Sequence, residues 1–101
     1  MITVKVTYTV KKEYVESNKK RIQAFLNAFK TLDNSQFVYS IFQLQDSDTF
    51  IHLSQYKNES IQQELLHVPS FLAFQQQRDL HLISDPTIEF LTCIGSSKNI
   101  L

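Results

Sequence analysis

The sequence predicts one α+β domain built in the order strand, helix, strand, strand, helix, strand, with four antiparallel strands and the helices on one face. Three observations predict it: a period-two β-branched segment at the start, a switch to helical periodicity after residue 13, and a second strand pair followed by a proline-broken helical region. The length of 101 residues suits a single domain spanning 1–101, able to bury roughly two thirds of the surface its unfolded chain exposes.

In the first segment Ile2, Val4, Val6, Tyr8 and Val10 alternate with Thr3, Lys5, Thr7 and Thr9, the pattern of a half-buried strand. From Glu13 to about Leu32, Val15, Ile22, Phe25, Leu26, Phe29 and Leu32 recur at three- and four-residue steps opposite a polar face of Lys19, Lys20, Gln23, Asn27 and Lys30. Pairing of Glu16 with Lys19 or Lys20 is worth a few tenths of a kcal/mol, so burial of the apolar stripe must hold this helix in place. Asp33, Asn34 and Ser35 end it, because short polar side chains compete for backbone hydrogen bonds. Two strands follow, over about 36–45 and 49–57, joined by the turn Gln45-Asp46-Ser47-Asp48 as an antiparallel hairpin.

Asn58 or Ser60 caps a helix that begins near Ile61 and runs to about His67, with Ser60 and Gln63 at capping-box spacing. Pro69 breaks it and starts another, to about Leu80, since proline suits a first turn and not an interior. After Ser84-Asp85-Pro86 a last strand spans about 87–94, ended by Gly95. This order is the ferredoxin-like βαββαβ plan, whose right-handed crossovers put both helical segments on one face of the sheet.

The strands also say what covers the other face. Phe37, Tyr39 and Ile41 oppose Val38, Phe42 and Leu44; Phe50 and Tyr56 oppose Ile51 and Leu53; Ile88, Phe90 and Ile94 oppose Leu91 and Cys93. Three strands are apolar on both sides, which predicts a homodimer with the sheets face to face; the alternative is a monomer with an exposed apolar sheet.

The run Phe50-Ile51-His52-Leu53-Ser54-Gln55-Tyr56-Lys57-Asn58-Glu59-Ser60, then His67, then Phe71-Leu72-Ala73-Phe74, resembles the antibiotic biosynthesis monooxygenase-like group of the dimeric α/β-barrel proteins. Length and element order match over nearly the whole chain. The chain departs from the group at Tyr56, where the aromatic is usually Trp, at Ser70, where a second His is often seen, and in the short step from His67 to Phe71. The resemblance implies a small cavity between helices and sheet in each protomer, and oxidation of a small phenol or quinol by molecular oxygen with no metal, flavin or other cofactor. It implies His67 as the acid/base, and Tyr56, Tyr39, His52, Phe71 and Phe74 as substrate-binding residues. A haem-degrading branch uses an Asn in the first strand, a Trp and a later His; this chain has no Trp, no Asn between residues 2 and 10 and no His between Phe71 and Arg78. The absent Trp and second His favour a second class, a dimeric small-molecule-binding or sensing module without chemistry.

Read without the resemblance, imidazole at His67 is the side chain that exchanges protons near neutral pH; the alternative is a histidine bonded to a carbonyl freed at the proline break. His52 shares a strand face with Phe50 and Tyr56, directed to the cavity or to the dimer interface, and His81 is expected in solvent. Tyr8, Tyr39 and Tyr56 are candidates to line an aromatic pocket or, as strand aromatics usually do, to pack the core. The three histidines lack HExxH spacing, and Asp46 and Asp48 sit in a turn without EF-hand spacing, so no metal site is expected.

Ten Lys and Arg balance ten Asp and Glu. A pI near 6.8 argues against nucleic acid or an anionic membrane as the main partner, because both usually recruit a basic surface. Lys11, Lys12, Lys19, Lys20 and Arg21 are interleaved with Glu13 and Glu16, a solvated face. One glycine excludes the Gly-rich RNP stretch, GxGxxG and the P-loop. The single Cys93, expected to be a buried strand residue, cannot form an internal disulfide, which suits a reducing compartment. Without a signal peptide pattern or an apolar run of about 18 residues, the expectation is a soluble cytoplasmic protein.

Overall fold

A computed structural model describes all residues, 1–101. The elements are β1 (Ile2–Thr9), a 3-10 turn (Lys12–Tyr14) leading into α1 (Val15–Phe29), β2 (Phe37–Gln43), β3 (Thr49–Tyr56), α2 (Glu59–Leu66), α3 (Pro69–Asp79) and β4 (Thr87–Leu91). The sheet order is β2-β3-β1-β4, with every neighbouring pair antiparallel, so the ferredoxin-like βαββαβ arrangement stands. No helix is long and apolar enough to cross a membrane.

Register decides which strand face meets the helices. Tyr8 pairs with Phe50, Val6 with His52, Ile41 with His52 and Tyr39 with Ser54, so these side chains share one face. Along β3 that face is Phe50, His52, Ser54 and Tyr56, all buried. Phe25 and Phe29 of α1 and Phe71 and Phe74 of α3 cover it, with Phe25 edge-on to Tyr39 at 5.6 Å and Phe74 stacked on His52 at 5.4 Å between ring centres. The buried stripe of α1 is Asn18, Ile22, Phe25 and Phe29, so a polar residue occupies a position that spacing alone assigns to the core.

The hairpin forms as the turn chemistry predicts, with Leu44 N–H donating to Thr49 at 2.9 Å and Asp46 at φ 57°, a left-handed conformation that Asp tolerates better than most residues. Asn58 caps α2 by accepting from the Ile61 N–H at 3.0 Å, which places the helix start two residues before the expected one. Val68 is extended before Pro69, which opens α3 as its first residue.

The end of the chain differs from the expectation. β4 stops at Leu91, where its pairing with β1 ends at Thr3, and residues 92–101 form no helix or strand. Cys93 is exposed rather than buried, and Ile94 has lost its strand face. The helices do not extend over β4: Ile88 and Phe90 point to the helix side, opposite Val6 and Val4, yet are 62% and 75% exposed. On the outer face Phe42 and Leu91 are exposed, Ile51 and Leu53 half-buried, and the central strand contributes the polar Thr3, Lys5 and Thr7.

Candidate functional site

The uncovered edge along β4 leaves a cavity of about 220 Å³ between the sheet and α2 and α3. Tyr39, His52, Tyr56 and Phe71 line it, joined by Gln62, Gln75 and Arg78 from the helices, with Ile88 and Phe90 at the β4 wall. An engineered apolar cavity of about 150 Å³ already admits benzene, and drug-sized pockets start near 300 Å³, so this one suits a single substituted ring. A larger open depression of about 640 Å³ around Lys12 and the 43–48 hairpin has one apolar lining residue, Leu44, and offers no wall for a ring.

The polar side of the cavity is a chain of buried groups. The Tyr39 hydroxyl lies 2.8 Å from His52 Nδ1, His52 Nε2 lies 2.8 Å from the Tyr8 hydroxyl, and Asn18 Nδ2 donates to that hydroxyl at 3.0 Å. Each link depends on register: Tyr39 is two residues from Ile41 and Tyr8 two residues from Val6, the two residues that pair with His52. His52 is 2% exposed, and burial, with Arg78 as a lesser cause, pushes its imidazole down to about 3, so the ring is neutral at pH 7. Burial likewise raises Tyr8, Tyr39 and Tyr56 above the usual phenol range, with Arg78 opposing the rise at Tyr8 and Tyr39. Tyr39 and Tyr8 are therefore neutral hydroxyls at pH 7, able to donate as well as accept.

Arg78 supplies the charge. Its side chain is only 11% exposed, its guanidinium lies 5.2 Å from the Tyr8 ring centre and 5.3 Å from that of Phe74, and Nε and Nη2 both donate to Asp79 Oδ1. Asp79 offsets part of this charge, and Nη1, which has no protein partner, is the donor left to favour an anionic or electron-rich ligand at the cavity wall.

The structure therefore brings together Tyr39, His52, Tyr56 and Phe71 and leaves two predicted residues apart. Phe74 is fully buried behind His52 and does not line the cavity. His67 is exposed at the end of α2, with Nδ1 2.7 Å from the Gln63 carbonyl oxygen, the bond expected of a histidine at the proline break. His81 is not free in solvent: it stacks on Tyr14 at 3.9 Å with the rings 5° from parallel.

Asn18 and Arg78 were not among the predicted residues. Asn18 lies four residues before Ile22 on the apolar stripe, and Arg78 four and seven residues after Phe74 and Phe71, so helical spacing was the available signal for both. No group of three His, Cys, Asp or Glu stands close enough to hold a metal ion.

The fold and cavity define the class: a ferredoxin-like α+β domain with a ring-sized pocket between sheet and helices. Solved structures share this fold along most or all of their length. An antibiotic biosynthesis monooxygenase superposes with a TM-score of 0.79 at 12% identity, over 94% of this chain and 100% of its own. Proteins carrying the same name from Bacteroides thetaiotaomicron (TM-score 0.80, 11% identity, 99% and 95% covered) and Caulobacter crescentus (0.79, 17%, 93% and 90%) are similar. These likenesses establish the fold. No protein-family model and no curated protein matches the chain.

Proposed function

We propose that the chain is a cofactor-independent monooxygenase that oxidises a small phenol or quinol with molecular oxygen in the cavity between sheet and helices. The observation that carries this reading is that Arg78 and Tyr39 both line a cavity otherwise walled mainly by aromatic and aliphatic groups. The apolar walls hold the ring, and the guanidinium stabilises the ionised oxygen that makes the ring electron-rich enough to reduce oxygen. For a phenol with a free para carbon the reaction balances without an added reductant. One oxygen atom replaces the para hydrogen and becomes the second quinone carbonyl. The other leaves as water with that hydrogen and the phenol proton, and all electrons come from the substrate. Three of the structural neighbours are named antibiotic biosynthesis monooxygenases, which supports monooxygenation as the reaction class.

The protomers of this enzyme pair through the outer sheet face, where Phe42, Ile51, Leu53 and Leu91 form the apolar surface. A binding module without turnover is favoured by one observation: both ring nitrogens of His52 are committed to tyrosine hydroxyls, so no histidine in the cavity is free to act as a base.

Oxygen uptake with a panel of phenols and dihydroxyphenols, chelator present, separates the two. The enzyme consumes oxygen above the uncatalysed rate, and Arg78→Met lowers kcat/KM about tenfold or more, as loss of a charge-assisted contact does. Uptake at the uncatalysed rate across the panel, together with saturable binding, establishes the binding module.

A further inference from the structure

The four groups of the buried chain fix one another's hydrogen positions. Asn18 is fully buried, its Nδ2 donates to the Tyr8 oxygen, and its Oδ1 has no partner. With one hydrogen bond already accepted from Asn18, the Tyr8 hydroxyl satisfies its own hydrogen by donating it to His52 Nε2, since no other acceptor reaches it. A neutral imidazole then carries its hydrogen on Nδ1 and donates it to the Tyr39 oxygen. The Tyr39 hydrogen is left with no protein acceptor, on a residue that lines the cavity. Turning the Asn18 amide over reverses the chain but strands both amide hydrogens in the core where this orientation strands one, and buried orphaned donors are rarer than under-satisfied carbonyls.

We infer that this chain of hydrogen bonds, running from Asn18 through Tyr8 and His52 to Tyr39, has a fixed direction that makes the Tyr39 hydroxyl a donor into the cavity, so that the ligand bound there presents an acceptor oxygen, a carbonyl or an ionised phenol. The inference rests on the cavity being the ligand site. It also gives the histidine a role different from a base. The chain cannot take up a proton through Tyr39, because its far end is an amide N–H that accepts nothing. Tyr39 holds the ligand oxygen, while His52, Tyr8 and Asn18 are positioning residues that aim its hydrogen. A neutral His52 agrees with this order, since a second ring hydrogen would meet the Tyr8 oxygen already engaged by Asn18.

Two measurements on the full chain test it. The side-chain nitrogen spectrum of ¹⁵N-histidine-labelled protein, assigned with His52→Phe, reports the tautomer without any ligand: the hydrogen is expected on Nδ1, and a hydrogen on Nε2 overturns the proposal. Titration calorimetry then compares acetophenone with α-methylstyrene, which has the same shape with CH₂ in place of the carbonyl oxygen. Wild type is expected to bind acetophenone about three- to tenfold more tightly, the worth of one hydrogen bond, and Tyr39→Phe to bind the two alike. Equal affinities in wild type overturn the donor role and leave the cavity reading intact. Binding of neither probe overturns the cavity reading, and this inference with it.

Discussion

Removing the Tyr8 hydroxyl is the sharpest test of the buried chain as a structural element. Tyr8→Phe keeps the ring, which stacks on Phe50 at 5.7 Å and lies under Arg78, but strips two partners at once: His52 Nε2, 2.8 Å away, and Asn18 Nδ2, 3.0 Å away. Both are left buried without a replacement. At about 1 to 3 kcal/mol for each orphaned group, the substitution costs about 2 to 6 kcal/mol, a large share of the stability of a domain this size. Tyr39→Phe also frees one His52 nitrogen, but at a site that borders the cavity, where water can restore the bond, so it costs about 1 kcal/mol. Replacing both partners, Tyr8→Phe with His52→Phe, removes the orphaned nitrogen and costs less than the sum of the two single changes. Urea unfolding monitored by circular dichroism, with equal m-values, gives these free energies. A Tyr8→Phe protein within about 1 kcal/mol of wild type, or one more stable than Tyr39→Phe, refutes the reasoning.

Acid should destabilise the protein earlier than its carboxylates require. The folded His52 titrates near 3 and the unfolded one near 6.5, so between these values the unfolded state takes up a proton that the folded state refuses, and stability falls as pH falls. At pH 5 the loss is about 2 kcal/mol relative to pH 8, and the difference from His52→Leu, which lacks this slope, isolates it in urea titrations at both pH values. Light scattering checks the assembly: wild type is expected at twice the chain mass of 11.8 kDa, and Leu53→Lys, which puts a charge on the outer sheet face, at a single chain mass.

Much of the fold is legible in the sequence because burial periodicity writes it there. β1 alternates without exception from Ile2 to Val10, and α1 repeats at helical steps through Ile22, Phe25 and Phe29, so their boundaries lie within a few residues of expectation. Pro69 marks the α2–α3 break because it lacks the N–H that an interior position needs. The last strand ends three residues before the expected Ile94: Thr92, Cys93 and Ile94 suit a strand by composition, while pairing is a property of two segments that neither carries alone.

The site was less legible. His52, Tyr39, Tyr56 and Phe71 stand where strand and helix phase directs them, but which face of β3 turns inward depends on register. His67 drew notice by its chemistry, whereas its position at a helix end directs it to the Gln63 carbonyl. Asn18 is separated from Tyr8 by ten residues and from His52 by 34, and only the packing of α1 on the sheet makes them one chain.

The cavity beside β4 is the proposed seat of a ring-sized ligand. An amide ¹H–¹⁵N titration with 4-methylphenol tests it directly. Saturable shifts are expected at Tyr39, Ser54, Gln75 and Arg78, which line the cavity, with none in the 43–48 hairpin. Shifts confined to the hairpin, or none at millimolar ligand, contradict it.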